Sequence, residues 1–169
     1  MVEEKIEEIF KRLKDHEKRI EKLEGYLSSQ KLEPSKPKGL EARIKKLCDD
    51  TGINRKDFDS IFFINKSEIL LITVPEGKNE AERQLKVTLA TLTASVYLFN
   101  QEFMKSSIIL KNLKKLGISS LVNLSTNLSE YHGLLISEGK PKSRNFGFRI
   151  TFPGRKKGLE TIKSLIKSK

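Results

Sequence analysis

The apolar residues of segment 106–151 change period along the chain, and that change dictates a particular run of elements. Ile109, Leu110, Leu113 and Leu116 recur at helical spacing behind Ser106, a residue suited to capping. Gly117, Ile118 and Ser119 then read as a tight turn, with Gly117 supplying positive φ and Ile118 plugging the core. Ser120 is placed to cap a second helix, LVNLSTNLSEYH, with Leu121, Leu124, Leu128 and Tyr131 inside and Gly133 ending it. From there the period falls to two. LLISEG reads as a strand, KPKSRN as a basic loop, and FGFRIT as a strand whose Phe146, Phe148 and Ile150 share one face. Thr151 is placed to cap a last helix, with Pro153 in its first turn and Leu159, Ile162 and Ile166 facing inward.

The preceding residues supply a core for this run. Asn79 caps a long helix, EAERQLKVTLATLTASVYLF, in which Leu85, Leu89, Leu92, Val96 and Phe99 form a broad buried face. Earlier still, Leu40, Ile44 and Leu47 recur at helical spacing and stop at Gly52, a left-handed cap. Asn54 caps a short helix through Ile61, and segments 62–64 and 69–74 flank Asn65, Lys66 and Ser67 as a hairpin. The fold class expected is α+β, mainly helical with small β-hairpins.

Residues 2–28 follow a different rule. Ile6, Leu13, Ile20 and Leu27 fill one heptad position, and Val2, Ile9, His16 and Leu23 fill the position three residues later. So narrow a stripe needs a partner, and a parallel homodimer is the simplest. In such a dimer Arg12 faces Glu17 of the other chain and Arg19 faces Glu24. The seam consists of Ile6, Ile9, Leu13, His16, Ile20, Leu23 and Leu27, with His16 as a titratable interruption. The same helix could instead fold back on its own domain. SSQKLEPSKPK, with two prolines and no periodicity, reads as a linker. The organisation expected is therefore a coiled-coil helix at 1–28, a linker at 29–38, a small helix-helix-hairpin unit at 39–78 and a larger domain at 79–169.

Composition narrows the function classes. The 169 residues include 33 Lys or Arg against 22 Asp or Glu, a net charge of +11, with 37% hydrophobic and 33% charged residues. That balance supports a core and excludes disorder throughout. The longest aliphatic run, 69–72, falls far short of the roughly 20 residues a bilayer requires, and Glu3 and Glu4 stand where a signal segment would be apolar, so a soluble, cytoplasmic chain is expected. One cysteine, Cys48, excludes an internal disulfide, and His16 and His132 form no zinc-ligand spacing; no metal or cofactor is expected. The Asn-x-Ser triplets at Asn65, Asn123 and Asn127 are chance matches in an unexported chain. PGRKKG lacks the spacing of a phosphate loop, His132 has no nucleophile or carboxylate placed with it, and Cys48 reads as a small buried residue, so the chain is not expected to be an enzyme.

The charge is unevenly spread. The last 32 residues hold ten basic and two acidic side chains, while residues 39–100 hold nine of each. Such asymmetry fits a polyanionic partner, although a lysine-rich tail that only aids solubility would look the same.

Helix, Gly-bearing turn and second helix is the order of a helix-turn-helix. With the LKKLGISS turn, the LSTNLSEYHGLL segment and FRITFPGRKKGLETI, residues 80–166 resemble the winged-helix family of DNA-binding domains. The resemblance implies a trihelical core, the second helix of the turn in the major groove, and the hairpin loop against the flanking backbone. Duplex DNA is then the expected partner. Ser119, Asn123, Ser125, Thr126 and Asn127 are the candidates on the second helix, Asn being able to bond adenine and Ser or Thr several base edges. Lys140, Lys142, Arg144 and Arg149 are the wing candidates, extended along phosphates by Lys105, Arg155 and Lys156. Arg155 and Lys156 lie at a helix N-terminus, where a cation is disfavoured unless an anion is bound. The function expected is a dimeric transcriptional regulator or chromosome-associated factor. The alternative is a protein-interaction module on the same scaffold, which the lack of any Lys or Arg on the second helix favours. RNA is a third possibility, against which stands the lack of stacking aromatics in the basic region.

Overall fold

The computed structural model describes residues 39–66, 68–118, 123–141 and 143–167. The heptad helix expected at 1–28 and the linker at 29–38 lie outside the described residues, as do Ser119, Ser120, Leu121, Val122 and Lys142. The described chain is α+β, with helices and two small antiparallel sheets.

Short-range chemistry sets most boundaries. Helix α1 (Leu40–Thr51) stops at Gly52, whose φ of 70° is left-handed, and the Ile53 N–H closes the end on the Cys48 carbonyl at 3.0 Å. Helix α2 (Arg55–Ile61) begins where Asn54 accepts the Asp57 N–H at 2.9 Å. It runs directly into β1 (Phe62–Asn65), which pairs with β2 (Glu68–Leu71) in the register Phe62 to Leu71. Helix α3 (Glu80–Phe99) is capped by Asn79, which accepts the Glu82 N–H at 2.8 Å, while the Glu82 carboxylate accepts the Lys78 N–H.

Then come β3 (Phe103–Lys105), α4 (Ser106–Lys115), α5 (Leu124–Ser129), β4 (Leu135–Glu138), β5 (Gly147–Ile150) and α6 (Phe152–Lys167). The second sheet has the order β3-β5-β4, with Met104 opposite Phe148 and Ser137 opposite Phe148 on the other side. Strand β3 was not expected: three residues are too few to show a period, and only pairing with β5 makes them a strand. Consequently Lys105 occupies the cap position of α4, and Ser106, expected there, is the first helical residue without a side-chain cap. The described part of α5 is also shorter than the helix expected over 121–132, and the chain after Ser129 turns tightly, Tyr131 N–H bonding the Leu128 carbonyl.

Helix α3 is the axis of the core. Beyond the expected leucines it buries Gln84, Thr88, Thr91, Thr93 and Ser95, because α1, α4, α5, α6 and β2 all pack on it and leave no wet side. Thr88 and Thr91 satisfy their hydroxyls on the carbonyls of Gln84 and Val87. Residues 37–169 form one compact unit with a single hydrophobic cluster running from Ile44 and Phe58 through Leu89 to Ile162, so segment 39–78 shares its core with the rest. Two contacts lock it. Gly158 of α6 lies so close to α3 that a Cβ would collide with the Thr93 hydroxyl and stand 2.8 Å from the Leu89 carbonyl. The buried Asn112 of α4 reaches β2, with its amide N–H on the Leu71 carbonyl at 3.0 Å and its oxygen on the Leu71 N–H at 3.1 Å. On α6 the inward residues are Ile162 and Leu165, with Leu159 and Ile166 half-buried, a rotation from the expected stripe.

Candidate nucleic-acid interface

The β4-β5 loop is built from two successive turns. Ser143 N–H bonds the Lys140 carbonyl at 3.0 Å, and Phe146 N–H bonds the Ser143 carbonyl at 3.1 Å. Gly139 opens the loop at φ 87°, and a Cβ there would press on the Asn145 carbonyl, so the first corner requires glycine. The second end is anchored in the core by Phe146, whose ring meets Phe148 edge-on at 5.3 Å. Between these anchors Lys140 and Arg144 are exposed, with no carboxylate on either among the described residues. Lys105 stands opposite Gly147 and Glu138 lies opposite it on the other side, so the exposed Lys105 belongs to the sheet end from which the loop springs. Lys156, near the start of α6, is exposed as well.

The other two expected cations are already engaged. Arg149 sits in the outward row Phe103, Arg149, Ile136, and its guanidinium clasps Glu138 through Nε and through Nη2, the latter at 3.2 Å. Its Nη1 lies 3.5 Å from Glu102, and the other Glu102 oxygen takes Arg155 at 2.5 Å. Two arginines and two carboxylates thus cancel. The guanidinium beside Glu138 holds that carboxyl below the usual range, and the carboxylates raise Arg149 in turn. Arg155 therefore does not wait on an anion as its helix-end position implied. The α6 terminus is served internally, the Thr151 hydroxyl accepting the Gly154 N–H at 3.0 Å.

The second helix is also altered by long-range contacts. Asn127, expected to face outward, is half-buried and donates to the buried Gln84 of α3 at 2.9 Å. It stands beside Leu128 on the flank that packs on α3, which the helical spacing of the leucines alone left ambiguous. Asn123, Thr126 and Glu130 are exposed, Ser125 is half-buried, and Ser119 lies outside the described residues.

No family model, curated protein or solved structure gives a significant match to the chain. The functional reading therefore rests on the residues themselves.

Glu102 is the residue that sequence reasoning missed. Its partners lie 47 and 53 positions away. A signal existed, since only Glu102, Glu130, Glu138 and Glu160 are acidic after residue 100, and isolated carboxylates in a basic stretch tend to pair. In the structure Glu102, Glu138 and Glu160 do so, Glu160 with Lys157 at 3.0 Å.

Elsewhere, a groove of about 500 Å³ beside α1 and the start of α2 has Ala42, Ile44, Cys48 and Ile53 as its apolar lining, and Arg55, which also lines it, is tied to Glu41. Burial pushes the Cys48 thiol up, so it is a poor nucleophile. No helix among the described residues is long and apolar enough to cross a membrane, and no cluster of three or more His, Cys, Asp or Glu there could hold a metal ion.

Proposed function

We propose that this chain is a duplex-DNA-binding protein of the winged-helix kind, with α3, α4 and α5 as the trihelical unit, the β3-β5-β4 sheet as its support and the β4-β5 loop as the wing. The element order and the strand order support this reading. The observation that carries it is the distribution of charge among the described residues: Lys105, Lys140 and Arg144 gather at one end of the sheet and Lys156 stands on α6 without an ion pair there, whereas the remaining two arginines of the region are neutralised. A folded domain that pairs some cations and leaves a cluster unpaired invites a polyanion to complete it.

In the same proposal residues 1–28 pair two such domains as a coiled coil, and the protein acts in the cytoplasm as a transcriptional regulator or chromosome-associated factor. The buried, unpaired Cys48 fits a reducing compartment. The test is fluorescence anisotropy of the whole chain with mixed-sequence duplex DNA across a salt series. Binding that weakens linearly in log salt supports the reading, and no binding at low salt refutes it. Sedimentation after removal of residues 1–30 tests the pairing, since a persisting dimer would move the interface elsewhere.

One observation favours a second reading, a protein-docking module. Phe63, Ile72 and Val74 are about half exposed on and after the β1-β2 hairpin, remote in sequence from the basic loop. DNA binding unaffected by Phe63→Ser and Ile72→Ser would leave that surface for a protein partner.

A further inference from the structure

We infer that the basic surface grips duplex DNA through its phosphates alone and does not discriminate base sequence; this deepens, and rests on, the DNA-binding reading above. Three observations converge. Among the described residues, the exposed cations without an ion pair on the loop, on the adjoining strand end and at the start of α6 are Arg144 and Lys140, Lys105, and Lys156, and no cation lies on α5. Attraction therefore draws the loop and the sheet end toward the backbone, not α5 into the major groove.

The second observation is the chemistry of the helix itself. Segment 119–130 contains no Lys or Arg, and arginine to guanine is the commonest specific contact. Its one charged residue, Glu130, is exposed and repels phosphate. The third is the loss of Asn127, whose amide is committed to Gln84 inside the protein. What remains outward among the described residues is Asn123 and Thr126, neither placed by a cation that would hold it against a base edge. Of the arginines able to make a forked base contact, Arg149 and Arg155 are held by Glu102 and Glu138, and Arg144 stands on the loop rather than on α5.

Affinity built this way has a numerical signature. Four phosphate contacts give a log-log salt slope of about −3.6 for one domain, a loss of roughly 150-fold between 50 and 200 mM salt, and about twice that slope where both domains of the proposed pair engage one duplex, the same for every sequence.

The experiment uses the full chain and duplexes of equal length: alternating A·T, alternating G·C, and mixed sequence, with a single strand and heparin as further probes. Dissociation constants for the duplexes within about threefold of one another, with parallel salt slopes, are expected. The double variant Lys140→Ala, Arg144→Ala should halve the slope on all duplexes alike, by removing two of four contacts, while circular dichroism and Tm stay near the parent values because both side chains are exposed and unpaired. A preference of tenfold or more for one duplex, erased by Asn123→Ala or Thr126→Ala, overturns sequence indifference and leaves DNA binding standing. Heparin or single strands bound as tightly as duplex overturn the duplex assignment. No binding to any probe at low salt removes the DNA reading itself.

Discussion

Under the proposed DNA-binding role, replacing Glu102 by Gln should strengthen that binding while slightly weakening the fold. The carboxylate bridges Arg155 at 2.5 Å and Arg149 at 3.5 Å, and Glu138 keeps its own hold on Arg149 after the change. One cation per domain, Arg155, is therefore released, next to the exposed Lys156. Glu102 is 40% exposed on its side chain, so the lost pairing is a solvent-screened one worth about 0–1 kcal/mol, or no more than about 4 °C in Tm. On DNA, one further phosphate contact steepens the salt slope by about 0.9 and raises affinity at 0.1 M salt by at most about eightfold. Anisotropy across a salt series, with a parallel thermal melt, measures both. An unchanged slope beside a lowered Tm would falsify the idea that this carboxylate holds an arginine back from the DNA. A weakened affinity would mean that the ion-pair network orders the sheet end for binding.

Asn112→Ala leaves the buried N–H and carbonyl of Leu71 without their α4 partner and should cost about 2–6 kcal/mol by urea denaturation, at about 1–3 kcal/mol for each group; a loss under about 0.5 kcal/mol would show that water replaces the amide. Gly158→Ala forces α6 away from Thr93 and Leu89 and should destabilise by about 1–3 kcal/mol, whereas a gain in stability, as helix propensity alone predicts, would mean that the two helices separate freely. Tyr97, its hydroxyl 2.6 Å from Asp50, has its phenol pushed above the ordinary value by burial, by that hydrogen bond and by the Asp50 charge. The folded state thus favours the protonated phenol, so this stabilisation is complete at neutral pH and is lost as pH rises past about 10, the unfolded value. Alkaline denaturation of Tyr97→Phe should accordingly show a shallower pH dependence above that point; identical profiles would remove Tyr97 from the account.

What was legible in the chain was what neighbouring residues decide among themselves. The left-handed Gly52, the caps at Asn54, Asn79 and Thr151, the Gly117 turn with Ile118 driven inward, and the alternation of Phe146, Phe148 and Ile150 each depend on a few consecutive positions, and a local pattern expresses them. Strand β3 and the fate of the polar groups depend instead on partners that no local pattern encodes. Glu102 meets Arg155 over 53 positions, and Asn127 meets Gln84 over 43. These same long-range pairings change the functional reading. Counting charge along the chain makes every arginine beyond residue 140 a candidate for phosphate, and an outward-pointing asparagine a candidate for a base. Folding removes Arg149, Arg155 and Asn127 from those lists, because a carboxylate or a buried amide reaches each one. The candidate surface that survives is smaller and simpler: lysines and one arginine spread over a loop, a strand end and the start of α6, an arrangement suited to evenly spaced charge and poorly suited to the edges of particular bases.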